Sequence, residues 1–319
     1  MRRRVCLFTA LLVALGMSAT VAYAQAAGPA CTREELKGLN DKFFQALETH
    51  NPSILPLASN VRYTENGKDV AMGKGFFETA GKPLLRRSLL DTQKCGTHTQ
   101  AVMEEKFSSK TVAPPPPAAP ATAAMPGPKP KPRPAEGTLR PILYGFRLKV
   151  ENGKISEIET IIARESEFAF NVDGVLETKD QDWETILPPA QRSSRMAMIA
   201  AANDYFDMFA QEPMVHTPFA SPCDRWENGT QTTKGGPFQG KDYVPHDCSP
   251  KGLVITNHGP RRFLVDPEAG IVVAYVHFAG GLPDFHMFKM RNGRVELVQA
   301  VIGAGAKSIG WPIEPVCLQ

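Results

Sequence analysis

Glu-Asn-Gly occurs three times in this chain, at 65–67, 151–153 and 227–229, and the first and last each have, two residues before the glutamate, a side chain that can bind or polarise a substrate. "RYTENGKD" (62–69) carries Tyr63 and Glu65, and "DRWENGTQ" (224–231) carries Arg225 and Glu227. Residues two apart share a strand face, so each pair can act on one molecule. Tyr63 can donate a hydrogen bond to a developing enolate or phenolate oxygen while Glu65 moves a proton. Arg225 beside Glu227 makes an ion pair or a carboxylate clamp rather than an acid/base couple. The competing reading is turn chemistry alone, because Asn-Gly favours tight turns.

Histidines supply the next candidates. In "FHMFKM" (285–290), His286, Phe288 and Met290 share one strand face and Phe285, Met287 and Lys289 the other. The lysine marks the second face as the wetter one, so His286 projects among apolar side chains. A neutral imidazole with pKa ~6.5 is a base there, or else a core histidine bonded to a backbone carbonyl. Asp284 either orients that imidazole or ends the turn "GGLPD". In "IVVAYVHF" (271–278), His277 lies with Tyr275 opposite the more apolar set. It is a secondary candidate, expected to face the other copy, a partner chain or water.

No cofactor or metal is expected. His246-Asp247-Cys248 matches no ligand spacing, and Gly-x-Gly-x-x-Gly, phosphate-loop and Gly-x-Ser-x-Gly patterns are absent from the sequence. Asn228-Gly229-Thr230 is a glycosylation sequon.

The surroundings of the first and last Glu-Asn-Gly also match. At an offset of 162, "PLASNVRYTENG" (56–67) lies over "PFASPCDRWENG" (218–229) without a gap. Upstream, "LNDKFFQAL" (39–47) lies over "ANDYFDMFA" (202–210) with a one-residue shift. Both read as helices, with Leu36, Leu39, Phe43 and Leu47 at helical spacing in the first. Downstream, "FRLKVENGKISEIETII" (146–162) lies over "FKMRNGRVELVQAVI" (288–302) at an offset of 140, each side alternating about an Asn-Gly hairpin turn. The lost 22 positions equal the length of "APPPPAAPATAAMPGPKPKPRP" (113–134), which holds ten prolines. Such a tract has little to bury and stays extended. It reads as a loop inserted between two strands of the first copy rather than as a domain linker.

These elements predict an α+β fold of two tandem units at roughly 31–175 and 190–319, each a helix followed by a mostly antiparallel sheet, with 182–194 as the connector. "MRRR", an apolar run and Ala22-Tyr23-Ala24 make residues 1–24 a signal peptide, so the protein is expected to be secreted or periplasmic without a membrane anchor. Removing three leader arginines from 36 basic residues leaves 33 against 33 acids. No global field then favours nucleic acid. Of the remaining cysteines, Cys223–Cys248 is the favoured disulfide and Cys31–Cys95 the second, which leaves Cys317.

Helix, polar strand and a curved sheet closing on "FKMRNGRVELVQAVI" resemble the nuclear transport factor 2-like fold. It is shared with ketosteroid isomerases, SnoaL-like polyketide cyclases and limonene epoxide hydrolases. "CTREEL", "YTENG", "ENGTQTT" and "FLVDPEAGIVVAYVHF" are similar to secreted fungal and bacterial proteins that carry two such copies. The resemblance implies two cone-shaped units with curved antiparallel sheets and packed helices, but no reaction.

Two functions follow as expectations. One is a cofactor-free enzyme acting on a hydrophobic small molecule by proton abstraction, of the isomerase, lyase or hydratase type. Its base would be His286 or Glu65 and its hydrogen-bond donor Tyr63. The other is a non-catalytic small-molecule-binding or extracellular interaction protein. Either would work as a homodimer or as a pseudo-dimer within one chain.

Overall fold

The computed structural model describes residues 31–109, 134–210, 215–235, 244–250, 254–255, 259–305 and 310–312. The expected leader, Cys317 and all of the proline tract except Pro134 lie outside these residues.

The first unit opens with α1 (Arg33–Glu48), which begins at a capping box: Thr32 accepts from Glu35 N–H while the Glu35 carboxylate takes the Thr32 N–H. Next come a 3-10 turn at Pro52–Ile54, β1 (Leu57–Glu65), β2 (Lys68–Asp69) and the short α2 (Phe76–Thr79). A meander of β3 (Ala80–Asp91), β4 (Gly96–Lys106), β5 (Leu139–Glu151) and β6 (Lys154–Ala163) completes it. The segment carrying the proline tract joins antiparallel neighbours, since Lys106 and Leu139 are ladder partners.

After α3 (Val172–Leu176) and a 3-10 turn at Pro189–Gln191, the second unit repeats the plan. Its elements are α4 (Arg195–Met208), β7 (Phe219–Glu227), β8 (Thr230–Gln231), β9 (Arg262–Asp266), β10 (Ile271–Phe278), β11 (Leu282–Arg291) and β12 (Arg294–Ile302). Thr32 and Ser194, the residues that cap α1 and α4, stand 162 apart. The helices therefore share the offset of Glu-Asn-Gly, and the one-residue shift expected between them is absent.

Each unit is a six-stranded sheet, in the orders β2-β1-β6-β5-β4-β3 and β8-β7-β12-β11-β10-β9. The expected α+β architecture of two tandem units is what the chain adopts. The sheets are mixed rather than wholly antiparallel, because β1 runs parallel to β6 and β7 parallel to β12. The reason is connectivity: the chain leaves β1 for the far edge, where β3 runs opposite to it, and the three reversals of the meander bring β6 back parallel beside β1. Asn152-Gly153 and Asn292-Gly293 have positive φ at both positions, as a two-residue hairpin turn requires.

Three cores result. Each helix packs on the inner face of its own sheet, with Phe43, Phe44 and Leu47 against β4–β6 and Tyr205, Phe206 and Phe209 against β10–β12. The outer faces pack on one another: Leu89, Val102, Leu143 and Ile161 meet Val273, Tyr275, Phe285 and Met287, joined by Trp183 from the connector. Gly145 lies at the closest approach, where an added Cβ would stand 2.0 Å from the Phe285 ring. This packing corrects the expectation that the Lys289 face is the wetter one. Lys289 is buried, and its ammonium donates to the carbonyls of Ala269 at 2.7 Å and Trp183 at 3.0 Å. Both expected disulfides, Cys31–Cys95 and Cys223–Cys248, are formed.

Candidate active site

The Asn and Gly of the first and last Glu-Asn-Gly are structural. Asn66 Nδ2 donates to Ile162 O at 3.0 Å while its Oδ1 accepts from Ile162 N–H at 2.8 Å. Asn228 makes the same two bonds to Ile302, both at 2.8 Å. Each asparagine thus fills in for a strand partner at the end of the last strand. The turn reading therefore holds for Asn-Gly, whereas the preceding glutamate points into its unit.

In the first unit, Tyr63 donates to Glu65 Oε1, which also accepts the Phe76 N–H at 2.6 Å. The carboxylate fits only because residue 75 is glycine: at φ 63°, an added Cβ would stand 2.5 Å from Glu65 Oε1. Burial raises the Glu65 carboxyl above its ordinary range, and burial together with Glu65 pushes the Tyr63 phenol well up. Tyr144 is fully buried beside them, and its hydroxyl has no partner among the described residues. Beyond this group, Arg164 forks onto Glu105 at 2.7 and 2.9 Å. Glu167 stands close by, its carboxyl pushed up by burial to about 7.

In the second unit, the same positions hold different groups. Tyr144 and Phe146 correspond, 140 residues on, to Asp284 and His286, and the ladder partners Ile162 and Thr160 correspond to Ile302 and Ala300. His286 Nδ1 stands 3.1 Å from Asp284 Oδ1. Its ring is walled by Tyr205, Phe206, Phe278 and Phe288, with centroids 5.0 to 6.1 Å away. Histidine and aspartate are both essentially unexposed, Asp284 Oδ2 also lies 3.0 Å from His286 Nδ1, and His286 Nε2 has no hydrogen-bond partner among the described residues. Arg225 Nε lies 3.2 Å from Glu227 Oε1 and also donates to Thr232 Oγ1 at 2.8 Å. Its Nη1 donates to the Tyr205 hydroxyl at 3.2 Å and to Cys248 O at 3.0 Å.

Burial lowers the His286 imidazole to about 3, so it is neutral across the ordinary pH range. Burial, reinforced by the negative charge of Glu227, pushes the Asp284 carboxyl well up. A protonated Asp284 would donate to Nδ1 and so leave the imidazole proton on Nε2.

Tyr63 and Glu65 are thus together in one unit, and His286, Arg225 and Glu227 in the other. His286 and Tyr63 belong to separate cores. His277 joins neither group: it is half-buried and shares its strand face with Tyr275, whose hydroxyl meets His98 Nδ1 of the first unit at 2.8 Å. Tyr205 lies on the buried stripe of α4, where an aromatic residue reads from sequence as core. The helix offset, which sets Tyr205 over Phe43, was its available signal. Asp284 was visible only as an orienting residue, although the offset of 140 sets it over buried Tyr144.

A family model described as a domain of unknown function (DUF8021) matches residues 191–302, the span from α4 to the end of β12. No curated protein matches the chain. Among solved structures, a SnoaL-like polyketide cyclase candidate from Jannaschia sp. CCS1 is 8% identical, covers 48% of this chain and 96% of its own, and has a TM-score of 0.30. A polyketide cyclase candidate from Xanthomonas campestris pv. campestris is 13% identical over 40% of this chain and 90% of its own, with a TM-score of 0.29. A ketosteroid isomerase candidate from Kribbella flavida is 13% identical over 42% of this chain and 82% of its own, with a TM-score of 0.27. None of these likenesses assigns a role to a residue of this chain.

Proposed function

We propose that the chain is an exported, cofactor-free enzyme whose second unit abstracts a proton from carbon in a small hydrophobic carbonyl compound. The reaction class is isomerisation or elimination. One observation carries the reading: the Arg225–Glu227 ion pair shares a desolvated aromatic interior with the Asp284–His286 pair, whose Nε2 has no partner among the described residues. A buried polar atom left without a partner is costly, so its persistence points to a ligand that completes it.

In this reading Glu227 is the base, and its ion pair with Arg225 holds it in place. Glu227 takes the proton next to the carbonyl as negative charge moves to the substrate oxygen. The His286 Nε2–H donates to that oxygen in a low-dielectric setting, where a preoriented donor is most effective. If the oxygen takes the Nε2 proton, Asp284 passes its own proton to Nδ1 and the imidazole stays neutral. His286 thus acts as a donor rather than as the base expected from sequence. Residue by residue, the first unit has Tyr63, Glu65, Tyr144 and Phe146 where the second has Arg225, Glu227, Asp284 and His286. At these four positions it has neither a cation nor an imidazole. Two disulfides fit an oxidising compartment.

The test is a thermal-shift and native mass-spectrometric screen of apolar ketones and enones, followed by turnover of the hits. His286→Gln should fold normally and lose most of kcat with little change in KM. A folded His286→Gln with full turnover of an identified substrate would remove the proposal.

A further inference from the structure

Arg87 and Lys289 on one side of the interface correspond, through offsets of 175 and 140, to Arg262 and Lys149 on the other. The first side is filled by the connector. There Arg87 Nη2 donates to Thr178 Oγ1 at 2.6 Å and also to Thr178 O, and Lys289 Nζ donates to Trp183 O. The Trp183 ring lies buried beneath the Arg87 guanidinium, 5.8 Å away. The cradle therefore receives three oxygen acceptors and a flat ring from the chain itself.

On the second side, the corresponding space is a cleft of about 100 Å³ between the units. Arg147, Lys149, Arg262 and Lys94 line it with Glu157, and Glu159 and Glu151 also pair with these cations: Arg147 and Arg262 bridge to Glu159, and Lys149 to Glu151. Arg262 bridges to Glu159 at 2.6 Å and lies over the Tyr275 ring at 5.4 Å, yet its buried Nε has no partner among the described residues. Tyr275, Phe263 and Trp311 supply flat apolar wall. We infer that this cleft binds a small aromatic carboxylate, its oxygens on Arg262 and Lys149 and its ring on the aromatic wall. The ligand would take the place that Thr178, Trp183 and their carbonyls take on the other side. A cleft of this size holds the carboxylate end and one ring of such a molecule, with the remainder projecting to solvent. The site is separate from the interior around His286 and needs neither its proton chemistry nor its substrate.

The experiment is isothermal titration of the full mature chain with benzoate, benzamide and acetate. Benzoate should bind with Kd about 1 mM or tighter, and benzamide and acetate at least tenfold more weakly. Arg262→Gln should weaken benzoate at least tenfold, and Lys149→Gln, at a partly exposed position, at least threefold. Arg87→Gln in the filled cradle and Glu227→Gln in the interior should leave it unchanged. Equal binding of benzamide would show that charge plays no part, and equal binding of acetate that the ring plays none. Either result, or unchanged affinity in Lys149→Gln and a folded Arg262→Gln, would overturn the assignment.

Discussion

Arg195, in the first turn of the second unit's helix, grips Asp91 at the end of a first-unit strand through Nη1–Oδ1 and Nη2–Oδ2 contacts of 2.9 and 2.8 Å. Arg33 makes the reciprocal contact to Asp266 at 2.8 and 2.9 Å. The aspartates also accept reciprocal backbone bonds, Val265 N–H to Asp91 and Leu90 N–H to Asp266. Two copies of one unit are thus clamped by two copies of one contact. Asp91 is wholly buried, and breaking a buried pair strands a charge. Asp91→Asn should cost about 3 kcal/mol in denaturant unfolding. Asp41→Asn, which breaks the exposed pair with Arg86, should cost no more than about 0.5 kcal/mol.

The asparagine staples give a second prediction. Asn228→Ala leaves the N–H and C=O of Ile302 without partners and should cost about 2–3 kcal/mol. Asn228→Asp keeps the acceptor for Ile302 N–H but sets a buried carboxylate against the carbonyls of Ile302 and Phe168, so its loss should be larger still. Asn66 variants should follow the same order. Thermal unfolding monitored by circular dichroism checks all of these.

Close approach of the sheets gives a third. Gly145→Ala drives a Cβ into the Phe285 ring and should cost about 1–3 kcal/mol. Phe285→Leu in the same chain should recover part of that loss, because it removes the atoms in conflict. A double-mutant cycle in urea measures the coupling.

Glu167 fixes the sign of a pH effect. Its carboxyl rises from 4.5 to about 7 in the folded chain. The stability it contributes is complete below pH 4.5 and is lost as pH rises through about 7. Glu167→Gln cannot ionise, so relative to the unaltered chain it should gain stability between pH 4.5 and 8. A side chain that keeps some solvent contact reduces the gain to about 1–2 kcal/mol. Urea midpoints at pH 4.5 and 8 decide the matter, and a gain toward acid pH would reverse the assignment.

Much of this architecture was legible because local signals agreed with one another. The capping residues, the Asn-Gly hairpins and the repeated Glu-Asn-Gly each marked an element, and the offsets between them exposed the duplication. Strand parity placed His286 inside, since alternation along β11 is regular up to the bulge at Lys289 and Met290. The same parity misjudged Lys289, because nothing in a single strand shows that a second sheet will cover its outer face. Arg225 and Glu227 were readable as a pair. Asp284 and Tyr205 needed the tertiary fold, which brings a strand start and a helix middle to one imidazole. The parallel strand pair is a property of connectivity, and side-chain pattern does not encode it.

Proton abstraction by Glu227 is most directly measured by hydrogen–deuterium exchange at carbon. An apolar ketone that binds the mature chain is incubated in deuterium oxide and followed by NMR, with the unaltered protein and with Glu227→Gln of matched thermal stability. The unaltered protein should catalyse exchange next to the carbonyl, and Glu227→Gln should slow it by about 100-fold or more. Exchange at an undiminished rate in Glu227→Gln would contradict the account.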